Sequence, residues 1–115
     1  MQTQLDSDEV VVGVRLPRFS AKARFGFHKI CRRTGEFAEA IGVVVDDPDR
    51  GVFTMVAGAT GGKPIILQTS PGEHRGTMSI DTARQLLKAA LFAGDEYELK
   101  LHAVALKRAH EATGV

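Results

Sequence analysis

Two apolar runs, residues 37–45 and 52–57, bracket the hexapeptide Asp46-Asp47-Pro48-Asp49-Arg50-Gly51. Ile41, Val43 and Val45 fall at alternate positions of the first run, the period of a strand with one buried face. Asp, Pro and Gly in the connection supply side-chain acceptors, a fixed φ and tolerance of a left-handed backbone. The two runs are therefore expected to fold back on each other as an antiparallel hairpin. An isolated hairpin is marginal in water, so further strands or a helix must cover its apolar face.

The flanking sequence offers both. Upstream, Val10, Val12, Val14 and Leu16 alternate with Val11, Gly13 and Arg15 and predict a first strand that Pro17 stops. A second extended segment puts Phe25, Phe27, Lys29 and Cys31 on one face and Gly26, His28, Ile30 and Arg32 on the other, before a turn at Gly35. Paired phenylalanines on a strand are expected in the core. Downstream, Gly61-Gly62-Lys63-Pro64 ends the strand after the hairpin turn, Ile65-Ile66-Leu67 resumes it or starts a packed turn, and a polar loop covers 69–77.

Two helices are expected to follow. Ser79 or Asp81 caps the first, Ala83, Leu86, Leu87, Ala90 and Leu91 form its stripe, and Gly94 closes it with a left-handed residue. The second begins near Asp95 and presents Tyr97, Leu101, Val104 and Ala105. Both stripes are expected on one sheet face. The reading is a single α+β domain spanning 1–115, with a strand half at about 9–67 and a helical half at about 79–112. Its antiparallel sheet of three to four strands packs against C-terminal helices.

With 115 residues the chain has room for one core of ordinary size, and 15 basic against 14 acidic residues leave a net charge of +1. Such a balance gives no global attraction to nucleic acid or an anionic membrane. Apolar stretches reach only four or five residues, far from the roughly 20 of a membrane span, and the N-terminus lacks a leader pattern, so a cytoplasmic protein is expected. Cys31 stands alone and cannot form an intrachain disulfide.

Several site readings fail on chemistry. Residues 58–64 carry glycines and Lys63, but Pro64 stands where a P-loop needs Ser or Thr, so a tight strand-end turn is expected. Asp46, Asp47 and Asp49 lack the bidentate Glu of a calcium loop and read as a solvated turn. His28, His74, His102 and His110 lack zinc-ligand spacing; His102 is expected only to contact Glu98 one helical turn away. Cys31 has no positioned base, and neither a metal site nor a catalytic residue is expected. One asymmetry stands out: from Arg15 to Arg33 the chain holds Arg15, Arg18, Lys22, Arg24, Lys29, Arg32 and Arg33 and no acid. Two interleaved rings and a near-neutral total disfavour nucleic acid as the partner, although the criteria for a single-strand surface are partly met.

The run Phe25-Gly-Phe-His-Lys-Ile-Cys-Arg-Arg-Thr-Gly-Glu-Phe-Ala resembles the aromatic-x-Lys-x-x-Arg-Arg-x-Gly-Asp-Phe-Ala signature of the C-terminal domain of the FAD-binding (medium) subunit in the carbon monoxide dehydrogenase and xanthine dehydrogenase (molybdenum hydroxylase) family. Residues 8–17, 58–64 and 96–109 are similar, in order, to that domain's opening strand, Gly-Gly strand end and last helix. Glu36 departs from the usual Asp, and Glu98 from the usual Arg. The resemblance implies an oxidoreductase domain that covers the FAD site while electrons pass from iron-sulfur clusters to an acceptor. It further implies that Phe27, Lys29 and Arg33 lie near the flavin, with Lys29 tuning its potential and Arg32 and Arg33 bracing the loop 34–36. Implied partners are an N-terminal FAD-binding module, on the same or a separate chain, and iron-sulfur and molybdopterin subunits. This chain has no equivalent of the family's glycine-rich pyrophosphate loops, so no FAD is expected on it alone. Two alternatives stand beside this reading: a free-standing module whose basic strand 15–33 binds an acidic ligand or single-stranded nucleic acid, and a purely structural self-associating domain.

Overall fold

The computed structural model describes residues 3–67, 69 and 76–114. It is an α+β fold: strands β1 (Arg24–Ile30), β2 (Ala40–Asp47), β3 (Val52–Gly58) and β4 (Ile65–Leu67), followed by helices α1 (Ile80–Ala89) and α2 (Glu96–Ala112). The strands form one antiparallel sheet in the order β1-β2-β3-β4. The hairpin expected from the two apolar runs is β2–β3, joined by a single 3-10 turn, Pro48–Arg50, that closes on Gly51 at φ 64°. Here the positive φ makes glycine the natural residue.

One face of the sheet carries α2. Val44, Met55 and Ala57 point toward it and, with Leu99, Leu106 and Ala109 of the helix, have almost no accessible surface. The helix sits close because two strand glycines admit it. A Cβ on Gly42 would lie 2.4 Å from the Ala105 carbonyl oxygen, and one on Gly26 would lie 1.7 Å from that of Ala109. Helix α1 makes most of its contacts with α2, and its Ala83 and Leu87 join the same core as Val44, Met55, Leu99 and Leu106, so both stripes face one side of the sheet as expected.

Capping is clear at both helix starts. The Ser79 side chain accepts from the Thr82 amide, and Asp95 and Glu98 form a reciprocal capping box that satisfies two otherwise orphan amides. The close of α1 differs from expectation. Leu91, not Gly94, takes the left-handed conformation, at φ 60°. Gly94 answers a spatial demand instead: a Cβ there would fall 2.4 Å from the Phe92 ring.

Three more expectations change. Residues 10–16 join no strand and are exposed, because no described element offers them a partner. On α2 the buried stripe is Leu99, His102, Ala103, Leu106, Ala109 and His110, whereas Tyr97 is 65% exposed and Leu101 and Val104 only half-buried; of the expected four, Ala105 alone is buried. The polar loop expected at 69–77 falls mostly outside the described residues.

The β2–β3 corner is not simply solvated. Pro48, Asp49 and Arg50 are exposed, yet Asp46 and Asp47 are buried beside them. Asp47 accepts from the Ser20 amide at 2.7 Å and the Ser20 hydroxyl at 2.5 Å, and the Arg50 guanidinium donates to the Arg18 carbonyl. These bonds fasten the base of the N-terminal segment to the corner. Burial pushes the Asp47 carboxyl up, but the bonds from Ser20 and the amides of Arg50 and Asp49 outweigh it and hold the pKa below 3.8. A carboxyl depressed on folding contributes stability above its unfolded pKa and loses it as pH falls through the folded value. Asp47→Asn should therefore leave a protein whose urea midpoint falls less steeply than wild type below about pH 4. An identical acid slope in the two proteins would show that Asp47 does not carry it.

Candidate functional site

Among the described residues no helix covers the sheet face opposite α2. Strand register builds it in rows: Phe25 lies beside Val45 and then Thr54; Phe27 beside Val43, Val56 and Ile66; Lys29 beside Ile41 and Gly58. Phe25 and Phe27 are 56% and 60% exposed, so neither belongs to the core as expected of strand phenylalanines. Alternation explains why. Gly26, between them, meets the helix, and the parity of a strand then sends both rings outward. The Phe25 ring is met edge-on by Phe19 at 5.3 Å between centroids.

Lys29 stands at the end of this face, exposed and on the side away from the helices. After Ile30 the chain turns through Cys31, Arg32 and Arg33 and returns at Ala40. The Glu36 amide donates to the Arg33 carbonyl at 3.1 Å, and Gly35 takes φ 89°. Lys29 Nζ donates to the Glu36 carbonyl at 2.6 Å, and Arg32 Nε meets Glu39 Oε1 at 3.0 Å. The turn between β1 and β2 is thus braced by Lys29 and Arg32. Arg33 is exposed and Arg32 bonds Glu39, so among the described residues neither arginine holds residues 34–36 as expected; Lys29 does, at the Glu36 carbonyl.

Between turn and strand lies an open depression of about 820 Å³, lined by Lys29, Arg32, Glu36, Phe37, Glu39 and Ile41 among others. Phe27 and Lys29 share one face and lie two residues apart, while Arg33 does not line the depression. Phe37 was missed as a site residue. Its place at the head of an apolar run read as strand, yet β2 begins only at Ala40, which leaves the ring 97% exposed on the rim. Chemically the depression offers a cation with spare donors, a guanidinium, an exposed ring and an apolar wall. Its lining contains no imidazole or thiol to serve as base or nucleophile.

Elsewhere, residues 58–64 form the expected strand-end turn, with Ala59 and Gly61 at positive φ and the Thr60 hydroxyl donating to the Lys63 carbonyl. His102 makes the expected contact with Glu98 one turn away, and more: it is buried, with Nδ1 2.8 Å from the Glu98 backbone carbonyl and Nε2 3.1 Å from that of Gly58. It ties α2 to the end of β3. Among the described residues no group of three or more His, Cys, Asp or Glu side chains is placed to hold a metal, and no helix is long and apolar enough to cross a membrane. No family model, no curated protein and no solved structure matches this chain.

Proposed function

We propose that this chain serves as the C-terminal domain of a molybdenum-hydroxylase-type flavoprotein subunit, a cytoplasmic oxidoreductase component that closes over an FAD held by another module. The observation that carries this reading is the exposed Lys29 ammonium, presented between the Phe27 side of an open apolar face and the depression at the twin-arginine turn. The donor set fits the edge of an isoalloxazine ring, which presents carbonyl oxygens and a flat apolar face to a cation and an aliphatic wall. It does not fit a pyrophosphate, which needs several converging backbone amides. In this reading the phosphates are gripped by the N-terminal FAD-binding module, and iron-sulfur and molybdopterin subunits complete the assembly.

Flavin supplies reversible electron storage between the clusters and the acceptor. Lys29 places a positive charge beside the ring edge, which favours the ring when it carries negative charge after reduction, by Coulomb attraction. Glu36 holds that ammonium in place through its carbonyl, and the exposed Phe37 ring on the rim is free to pack against the docked flavin module. In the assembled flavoprotein, Lys29→Ala should lower the flavin reduction potential by on the order of tens of millivolts. An unchanged potential would remove the role given to Lys29. Stoichiometric flavin on the isolated chain would overturn the division of labour between modules.

A second reading has its own support, because both phenylalanines are exposed among basic residues. Phe25 and Phe27 on an open sheet face, beside Lys29, fit the stacking platform of a single-stranded nucleic-acid binder. Oligonucleotide binding that weakens steeply with salt and is lost in Phe27→Ala would select it; no binding at low salt would dismiss it.

A further inference from the structure

Val10, Val12, Val14 and Leu16 are 81, 100, 82 and 81% exposed. They repeat at the strand period, yet the segment joins no strand among the described residues, and its base is fixed at the β2–β3 corner by Ser20 and Arg18. The sheet meanwhile ends at β1, whose outer edge is free among the described residues. A row of unpaired amides and carbonyls beside an unpaired apolar strand is a template for strand addition.

We propose that residues 8–16 of one copy add antiparallel to the β1 edge of a second copy, the two arms being exchanged about a two-fold axis. One register satisfies sequence and structure together. It sets Leu16 opposite Phe25, Val14 opposite Phe27, Val12 opposite Lys29 and Val10 opposite Cys31, so the arm's apolar residues extend the open face. Cross-strand aliphatic–aromatic pairs of this kind stabilise a sheet. The same register carries Glu9 and Asp8 to Arg32 and Arg33, the acidic end of the arm meeting the basic turn. It also brings Arg15 opposite Gly26, where the last turn of α2 approaches the strand and its carbonyls attract a cation. A slip by one residue would turn the valines to the helix side. The charge match selects this same sequence as occupant, and because the arm stands exposed and off its own β1 edge, the occupant is a second copy. This inference does not rest on the flavin reading.

Sedimentation of the full chain from low to high micromolar concentration should show a monomer–dimer equilibrium, with the amides of residues 10–16 protected from hydrogen exchange in the dimer. Val14→Asp, which sets a carboxylate against the Phe27 ring, should weaken the dimer at least about tenfold without altering the circular dichroism spectrum, because the wild-type side chain is 82% exposed within its own chain. Val10→Cys, oxidised with glutathione disulfide, should form a disulfide to native Cys31 of the second copy, since antiparallel partners lie within disulfide range. A chain that stays monomeric throughout, a dimer indifferent to Val14→Asp, or a 10–31 disulfide found only within one chain would each overturn the proposal.

Discussion

Gly26→Ala should destabilise the protein by about 3 kcal/mol or more, a large share of the roughly 5–15 kcal/mol that holds a domain of this size folded. Backbone preference argues for the opposite sign, since glycine within a strand costs roughly 0.5–1 kcal/mol relative to alanine. Sterics decide. The added Cβ would stand 1.7 Å from the Ala109 carbonyl oxygen and 2.8 Å from the Thr113 methyl, and the first of these is helix backbone that cannot rotate aside. Relief requires α2 to lift from β1, which opens space under Leu106 and Ala109. Gly42→Ala should act in the same direction, with contacts of 2.4–2.7 Å to Ala105 and Leu106. Gly62→Ala is the control, because nothing lies within 4 Å of its Cβ. Urea midpoints at constant m-value would read all three; a Gly26→Ala midpoint equal to that of Gly62→Ala would mean that α2 is not seated on these glycines.

The same two glycines show what the sequence discloses and what it withholds. The hairpin was legible because Pro48 and Gly51 act locally and the alternation on either side is strong. The cap at Ser79 and the start of α2 at Asp95 were legible for the same reason: a cap is a contact within one turn. Which face of β1 turns inward was not. Phe25 and Phe27 carry the hydrophobicity, but the helix chose the side of Gly26, and no window of β1 alone contains Ala109. The isolated strand expected at Val10–Leu16 failed similarly, since a strand is made by its partner and pattern cannot provide one. At the candidate site, Lys29 was legible as a basic residue on an extended segment, and its exposure follows from the same parity that exposes Phe27. Its bond to the Glu36 carbonyl depends on a turn geometry set by Gly35 and remained invisible. Phe37 was concealed by belonging to an apolar run whose first three residues never enter the sheet.

Leu106→Ala should cost about 2–5 kcal/mol, while Tyr97→Ala, on the same helix, should change stability by less than about 0.5 kcal/mol. Helical spacing alone permits a stripe through Tyr97, Leu101, Val104 and Ala105, and that stripe predicts the reverse order, the tyrosine being the larger side chain. Geometry rotates the helix the other way. Leu106 has no accessible surface and belongs to the cluster that contains Val44, Met55 and Ala109, whereas Tyr97 sits in the first turn, 65% exposed. What fixes the rotation is again the close approach at Gly42, because α2 must present Ala105 and Ala109 to the strand glycines, and Leu106 then falls between sheet and α1. His102, one turn earlier, locks the same phase by reaching the carbonyl of Gly58. The pair of substitutions therefore measures helix phase directly. Equal losses at both positions, or a larger one for Tyr97→Ala, would place the stripe where spacing alone puts it, and with it would go the helix-free sheet face on which Lys29 stands.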